Sequence, residues 1–216
     1  MLHKSFIVPL ICLSLLALTT LSEVSAQERS GFLLRINSGI GSADISRDLG
    51  GSQGKFTMSG QAFLGQLTIG GFIMPNLALH GTVYNTQMFN PSVEDEQMSY
   101  EWGETDATIS AGGLGAGLTY YFMPTNVYIS ATAGFAFMQI ELKNGSLTRT
   151  EDSDTGVGGS LVLGKEWFVS ERWSLGLGAQ FDVASIPISN DAICIDRCEE
   201  NVTSISGGLV FSATLN

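Results

Sequence analysis

"YYFMPTNVYISATAGFAF", Tyr120 to Phe137, runs eighteen residues without a charge. A Met-Pro-Thr-Asn break sits near its start. Beyond the break, Val127, Ile129, Ala131, Ala133, Phe135 and Phe137 occupy odd positions, and Tyr128, Ser130, Thr132, Gly134 and Ala136 occupy even ones. Period two is the mark of a β-strand, whose successive side chains point to opposite faces. One face of this strand is apolar. The other is small and hydroxylated, with no lysine, glutamate or aspartate to meet water.

The same pattern spreads outward from that stretch. Phe56 to Val93 and Ala107 to Ile140 contain no Asp, Glu, Lys or Arg. Uncharged runs of this length would suit membrane helices, but these alternate and are rich in Gly, Thr and Ser, which favours strands over a helical bundle. Eight strands are expected, at about 31–43, 58–73, 77–89, 106–122, 127–141, 155–169, 174–187 and 202–215. In the first, Phe32, Leu34 and Ile36 oppose Leu33, Arg35 and Asn37. In the seventh, Leu175, Leu177, Ala179, Phe181 and Val183 oppose Gly176, Gly178, Gln180 and Asp182. In the eighth, Ile205, Leu209, Phe211 and Leu215 oppose Ser204, Ser206, Ser212 and Thr214. The fourth changes apolar phase around Gly112-Gly113, for which a β-bulge is the economical explanation.

The connections alternate in length. Residues 74–76 (MPN), 123–126 (MPTN) and 170–172 (SER) are short turns, where Pro fixes φ and Asn tolerates the left-handed region. Those near 44–57, 90–105, 142–154 and 188–201 are long and carry most of the charge. Well inside the strands the charged residues are Arg35, Lys165, Glu166 and Asp182.

The N-terminus carries an export signal: Lys4, the apolar run from Ser5 to Leu21, and Val24-Ser25-Ala26 as a small-residue cleavage site. Cleavage after Ala26 leaves 27–216 as one domain. It removes one base and one acid, Lys4 and Glu23, so the net charge stays at −11. That balance argues against nucleic acid and anionic lipid as partners.

A soluble sandwich would put charge on its outward strand faces. Here neither face carries it. An all-β, eight-stranded antiparallel up-and-down transmembrane barrel satisfies the pattern: apolar residues meet lipid, small polar ones fill a narrow lumen, and closure pairs every backbone group. Phe72, Tyr120, Phe122, Tyr128, Trp167 and Trp173 gather beside the short turns as an expected interfacial girdle.

The signal peptide, "GLGAGLTYYFMPTNVYISATAGFAF", "GGSLVLGKEWFVSERWSLGLGAQF" and the closing "SGGLVFSATLN" together resemble the small eight-stranded outer-membrane barrels of the OmpA/OmpX type. The likeness covers essentially all of 31–216. It implies a bacterial outer-membrane location, both termini and the short turns in the periplasm, and the long loops outside the cell. Family members usually end in an aromatic residue. This chain ends Leu215-Asn216, with Phe211 the nearest aromatic.

Several residues bear on chemistry. His80, the one histidine left after cleavage, shares a strand face with Ala78, Thr82 and Tyr84, so it points into the lumen as a hydrogen-bonded interior residue. It lies near the short turn at 74–76, the wrong end for a lipid-modifying enzyme, and no G-x-S-x-G stretch occurs. Arg35 and Glu166, with Tyr121 in the same layer, are expected to pair as a polar plug, because an unpaired charge in a narrow interior is costly. The alternative is a gate or ion path. Cys194 and Cys198, in "CIDRC", are expected to form a disulfide in an oxidising compartment, and a metal-binding thiol pair is the alternative. Asn90 to Asp106 has six acids and no base. Its Glu94, Asp95, Glu96, Tyr100 and Trp102 are candidates for binding divalent cations or a basic partner; a solvated loop is the bland reading.

The expectation is a non-enzymatic, monomeric outer-membrane barrel with a structural or surface-interaction role and no cofactor. A narrow channel or small apolar ligand carrier is the alternative, with a lipid-modifying enzyme behind it.

Overall fold

A computed structural model describes residues 29–48, 55–95, 98–100, 106–144, 147–189 and 199–216. Along the chain run β1 Phe32–Asp48, β2 Lys55–Met74, β3 Leu77–Phe89, β4 Ser92–Asp95, β5 Met98–Tyr100, β6 Asp106–Phe122, β7 Val127–Asn144, β8 Leu147–Asp152, β9 Gly156–Phe168, β10 Trp173–Ser189 and β11 Glu199–Leu215. Eight of them pair in sequence, all antiparallel: β1, β2, β3, β6, β7, β9, β10 and β11. The sheet closes where β1 meets β11, from Leu34 opposite Leu215 to Arg47 opposite Val202. Closure leaves no barrel strand with an open edge, which is the condition for spanning a membrane with strands. No described helix is long and apolar enough to cross one.

Side chains sort as the alternation predicts. On β1, Leu33, Arg35 and Asn37 are buried while Phe32 and Ile36 are exposed, and Ile40 and Leu209 are each 74% exposed. The outward face is an apolar belt, with Leu67, Ile69, Leu114, Leu118, Ile129, Phe135, Leu163, Leu177 and Phe181 among its members. A face this apolar and this continuous is far larger than soluble proteins expose, and lipid is the solvent that suits it.

Three expectations need correction. Around Gly112-Gly113 there is no bulge. β6 keeps one register against β3 from Leu77–Tyr120 to Phe89–Thr108, and one against β7 from Asp106–Lys143 to Phe122–Val127. The apolar residues change face because the lumen changes character. Ile109 and Ala111 point inward, into a cluster with Ile45, Met58, Met88, Met138, Ile186 and Val202. The one shift in the β2–β3 ladder lies instead between Phe72 and Met74, beside the short turn.

The girdle is smaller than expected. Tyr120, Phe122 and Trp173 are exposed on the outer surface, with the Tyr120 and Phe122 rings edge to face at 4.9 Å. Tyr128 is fully buried in the lumen, because the even positions of β7 point inward. Phe72 is half-buried and packs at 6.0 Å on the ring of Tyr121. Lys165 faces outward, with its ammonium 5.5 Å from the Trp167 ring.

The described parts of the long connections are mostly strand. β1 and β2 stay paired to Asp48–Lys55, and β10 and β11 to Ser189–Glu199. β4 adds to β2 through Thr57–Glu94 to Ser59–Ser92 and turns back into β5, and β8 folds back on the end of β7. Backbone pairing continues past the apolar belt, since a ladder hydrogen bond needs no particular side chain.

Candidate functional site

The lumen at the short-turn end is a network of polar side chains, and Arg29 is its hub. This residue precedes β1, and its guanidinium lies between two rings, 4.1 Å from the centroid of Tyr121 and 4.7 Å from that of Phe168. Its edge is satisfied on every nitrogen. Nε donates to Asn126 Oδ1 at 2.8 Å, Nη1 to Asn216 Oδ1 at 2.9 Å, and Nη2 to Ser174 Oγ at 2.9 Å. Nη2 also lies 2.7 Å from Glu166 Oε2, and neither side chain of that ion pair is exposed. The turn asparagines explain the geometry. Asn76 and Asn126 sit at φ 65° and 56°, a region asparagine tolerates better than most residues. From there the Asn76 side chain accepts from the Arg29 backbone N–H at 3.1 Å, and Asn126 Nδ2 donates to the Glu166 carbonyl at 3.0 Å. Two short turns and Asn216 are thus tied to one residue before the first strand, the Asn76 turn through the Arg29 backbone and the Asn126 turn through its guanidinium.

Glu166 is held from its other side as well. Thr214 Oγ1 donates to Oε1 at 2.7 Å, and Tyr121 OH at 3.5 Å. The expected pairing of Glu166 with Arg35 is therefore not the one that forms. Glu166 takes Arg29, while Arg35 lies deeper and makes no carboxylate contact among the described residues. Its Nη2 donates to Ser130 Oγ at 2.7 Å and to Thr119 Oγ1 at 3.3 Å, with the Tyr128 ring 4.5 Å away.

His80 is 4% exposed and held at both ring nitrogens, by Thr82 Oγ1 at 2.9 Å and Thr119 Oγ1 at 3.0 Å. Thr119 donates onward to Ser130 at 2.8 Å. Its hydroxyl proton is then spent, so His80 donates from Nε2 and accepts at Nδ1 from Thr82. Thr68 completes the chain, 3.1 Å from Thr82. A neutral imidazole between hydroxyls is an interior connector.

Inward glycines make room for these groups. A Cβ at Gly164 would stand 2.7 Å from the Tyr128 ring, one at Gly117 would stand 2.6 Å from His80, and one at Gly176 would stand 2.7 Å from Glu166 Cγ. The small residues of the lumen face are thus the complements of its large ones, as a narrow eight-stranded interior requires.

Sequence reasoning placed Arg35, His80, Tyr121 and Glu166 in the lumen, and all four are buried there. It missed Arg29, whose partners lie 47 to 187 residues away. It noted Asp182 as an in-strand charge without asking what surrounds it. Glu94 and Asp95 lie on β4 and Tyr100 on β5, at the long-loop end. Glu96, Trp102, Cys194, Cys198 and the signal segment lie outside the described residues.

Similar solved structures are small outer-membrane proteins. Neisserial surface protein A is 16% identical, with a TM-score of 0.47 over 86% of this chain and 97% of that one. OprG from Pseudomonas aeruginosa is 15% identical, with a TM-score of 0.48 over 89% and 100%. The outer membrane protease OmpT from Escherichia coli is 9% identical, with a TM-score of 0.44 over 90% and 99%. Likeness at this level does not carry an activity across, in either direction. No curated protein matches the chain. The family model for the outer membrane protein beta-barrel domain matches residues 10–192, and the chain belongs to that family of bacterial outer-membrane barrels.

Proposed function

We propose that this is a non-enzymatic outer-membrane scaffold, plugged through its lumen, whose acidic long-loop end is a surface for interaction. The carrying observation is the contrast in charge between the two ends. In the short-turn half, Arg29 and Glu166 are consumed by each other inside the barrel. At the long-loop end, Asp48, Glu94, Asp95, Glu151, Glu199 and Glu200 are among acids that outnumber the described bases Arg47, Lys55, Lys143 and Arg149. The orientation that fits this division puts the long connections outside the cell and both termini in the periplasm. Loops on a rigid scaffold commonly carry binding. The partner is a divalent cation held weakly, or a basic protein surface. The burial of His80 between threonines supports a non-enzymatic reading.

The test is binding of calcium and of a polylysine probe to the barrel in lipid nanodiscs. Affinity should fall as salt rises from about 20 mM to about 500 mM, since exposed charges are screened within about 10 Å at 0.1 M. Replacing Glu94, Asp95 and Glu96 by Gln, Asn and Gln should remove most of it while the barrel still folds. Binding that survives both changes would overturn the proposal.

The second reading, a passage or carrier for small apolar molecules, has one observation in its favour. The inner wall at the long-loop end is lined by Met58, Met88, Met138, Ile109 and Ile186. It requires that an alkane or an aromatic probe shift the NMR signals of those methionine methyls.

A further inference from the structure

We infer that Asp182 and the oxygens around it form a site for one small monovalent cation, such as sodium, midway along the lumen. Asp182 is 7% exposed and points inward from β10. Its Oδ2 is well supplied. Gln180 Nε2 donates to it at 2.9 Å, Thr86 Oγ1 at 3.3 Å and Ser206 Oγ at 3.5 Å. Its Oδ1 has no hydrogen-bond partner. No base neutralises the carboxylate among the described residues. Arg29 is engaged by Glu166, and Arg35 makes no salt bridge among them: its Nη2 donates to Ser130 and Thr119, while its Nε and Nη1 have no hydrogen-bond partner.

The surroundings hold further oxygens without partners. Gln180 Oε1, Ser160 Oγ and Tyr84 OH are buried without hydrogen-bond partners. Ser160 stands directly across from Asp182 in the β9–β10 ladder, and Gln180 is bonded to it. A cavity of about 10 Å³ opens among Tyr84, Thr86, Asp182 and Ser206. That is close to the space one water-sized sphere needs. The Tyr84 phenol reaches this level over two glycines: a Cβ at Gly158 would lie 2.7 Å from its oxygen, and one at Gly113 would lie 2.6 Å from its Cζ.

A buried, unpaired carboxylate is costly, and a counter-ion removes the cost. The donor set is oxygen throughout, which selects hard cations. No second carboxylate joins the group, and no cluster of three or more His, Cys, Asp or Glu occurs among the described residues. One negative charge calls for one positive charge, so a monovalent ion fits where calcium does not. A cavity of single-water size admits sodium or potassium, whereas choline is too bulky to enter.

The experiment measures the unfolding midpoint of the mature barrel in detergent micelles, in sodium chloride and in choline chloride at equal ionic strength. The wild-type midpoint should rise with sodium and not with choline. Above the dissociation constant, each tenfold rise in sodium is worth about 1.4 kcal/mol by mass action. Asp182→Asn should respond to the two salts alike. Ser160→Ala, which keeps the carboxylate, should need more sodium for the same rise, and it decides the matter if Asp182→Asn does not fold. A wild-type midpoint that is the same in both salts means the carboxyl is protonated or holds only water, and overturns the proposal. So does an Asp182→Asn barrel that keeps the sodium response.

Discussion

The two halves of the lumen share one backbone and one inward phase, yet they are filled with opposite chemistry. Towards the short turns the inward positions are Arg35, His80, Tyr121, Tyr128 and Glu166, with Arg29 hooked in from outside the strands. Towards the long loops they are Ile45, Met58, Met88, Ile109, Met138 and Ile186. The first half holds its shape mainly by directed bonds, because a charge that has left water is costly until it is paired and hydrogen-bonded. The second needs only to fill volume, and methionine does that with little geometric demand. Inward on a barrel strand therefore does not mean polar. The polar half is the specified part of the molecule, and on the proposed reading it is the half that seals the lumen.

The difference can be broken most forcefully at Arg29. Arg29→Ala leaves Glu166 buried without a counter-charge and cuts the ties to Asn126, Asn216 and Ser174. The expected loss is about 3–5 kcal/mol in urea unfolding of the micellar barrel. Adding Glu166→Gln should restore part of it, since no charge then remains stranded. An Arg29→Ala barrel as stable as wild type would mean that the network decorates the turn end without holding it.

In the apolar half the cost should follow volume alone. Ile186→Ala removes a fully buried side chain from the upper cluster and should cost about 3 kcal/mol, by lost burial plus a residual cavity. Ile186→Met should lose under about 1.5 kcal/mol, as volume-conserving swaps do. A large loss for Ile186→Met would show that this half is specified as tightly as the other.

The smallest effect belongs outside the lumen. Lys143 and Glu141 form an exposed pair at 2.6 Å on β7. Lys143→Ala should change stability by less than about 1 kcal/mol, and by less still at high salt. A larger change would place structural weight on the long-loop end, which this account gives to recognition.

How far the sequence reveals this division depends on the kind of signal. Period-two alternation with Pro and Asn turns is local, and it places strands such as 77–89 and 106–122 at their observed bounds. The extensions of β1, β2, β7, β10 and β11 escape it, because backbone pairing continues where the apolar alternation has ended. The reversal at Gly112-Gly113 was misleading for a related reason. A change in which face is apolar looks the same whether the backbone slips or the lumen changes character. Arg29 was hidden because its partners are far away in sequence, although an arginine before the first strand and an asparagine in each of two short turns were there to be joined. Asp182 was visible as a lone acid in an otherwise uncharged strand.

The seal itself is tested most directly by conductance across planar lipid bilayers. Wild type should show only rare, small openings, because Arg29, Arg35, Tyr121, Tyr128 and Glu166 fill the short-turn half. Arg29→Ala and Glu166→Ala should each raise the opening frequency, while Ile186→Ala should leave it unchanged. Steady, large conductance in the wild type would contradict the account.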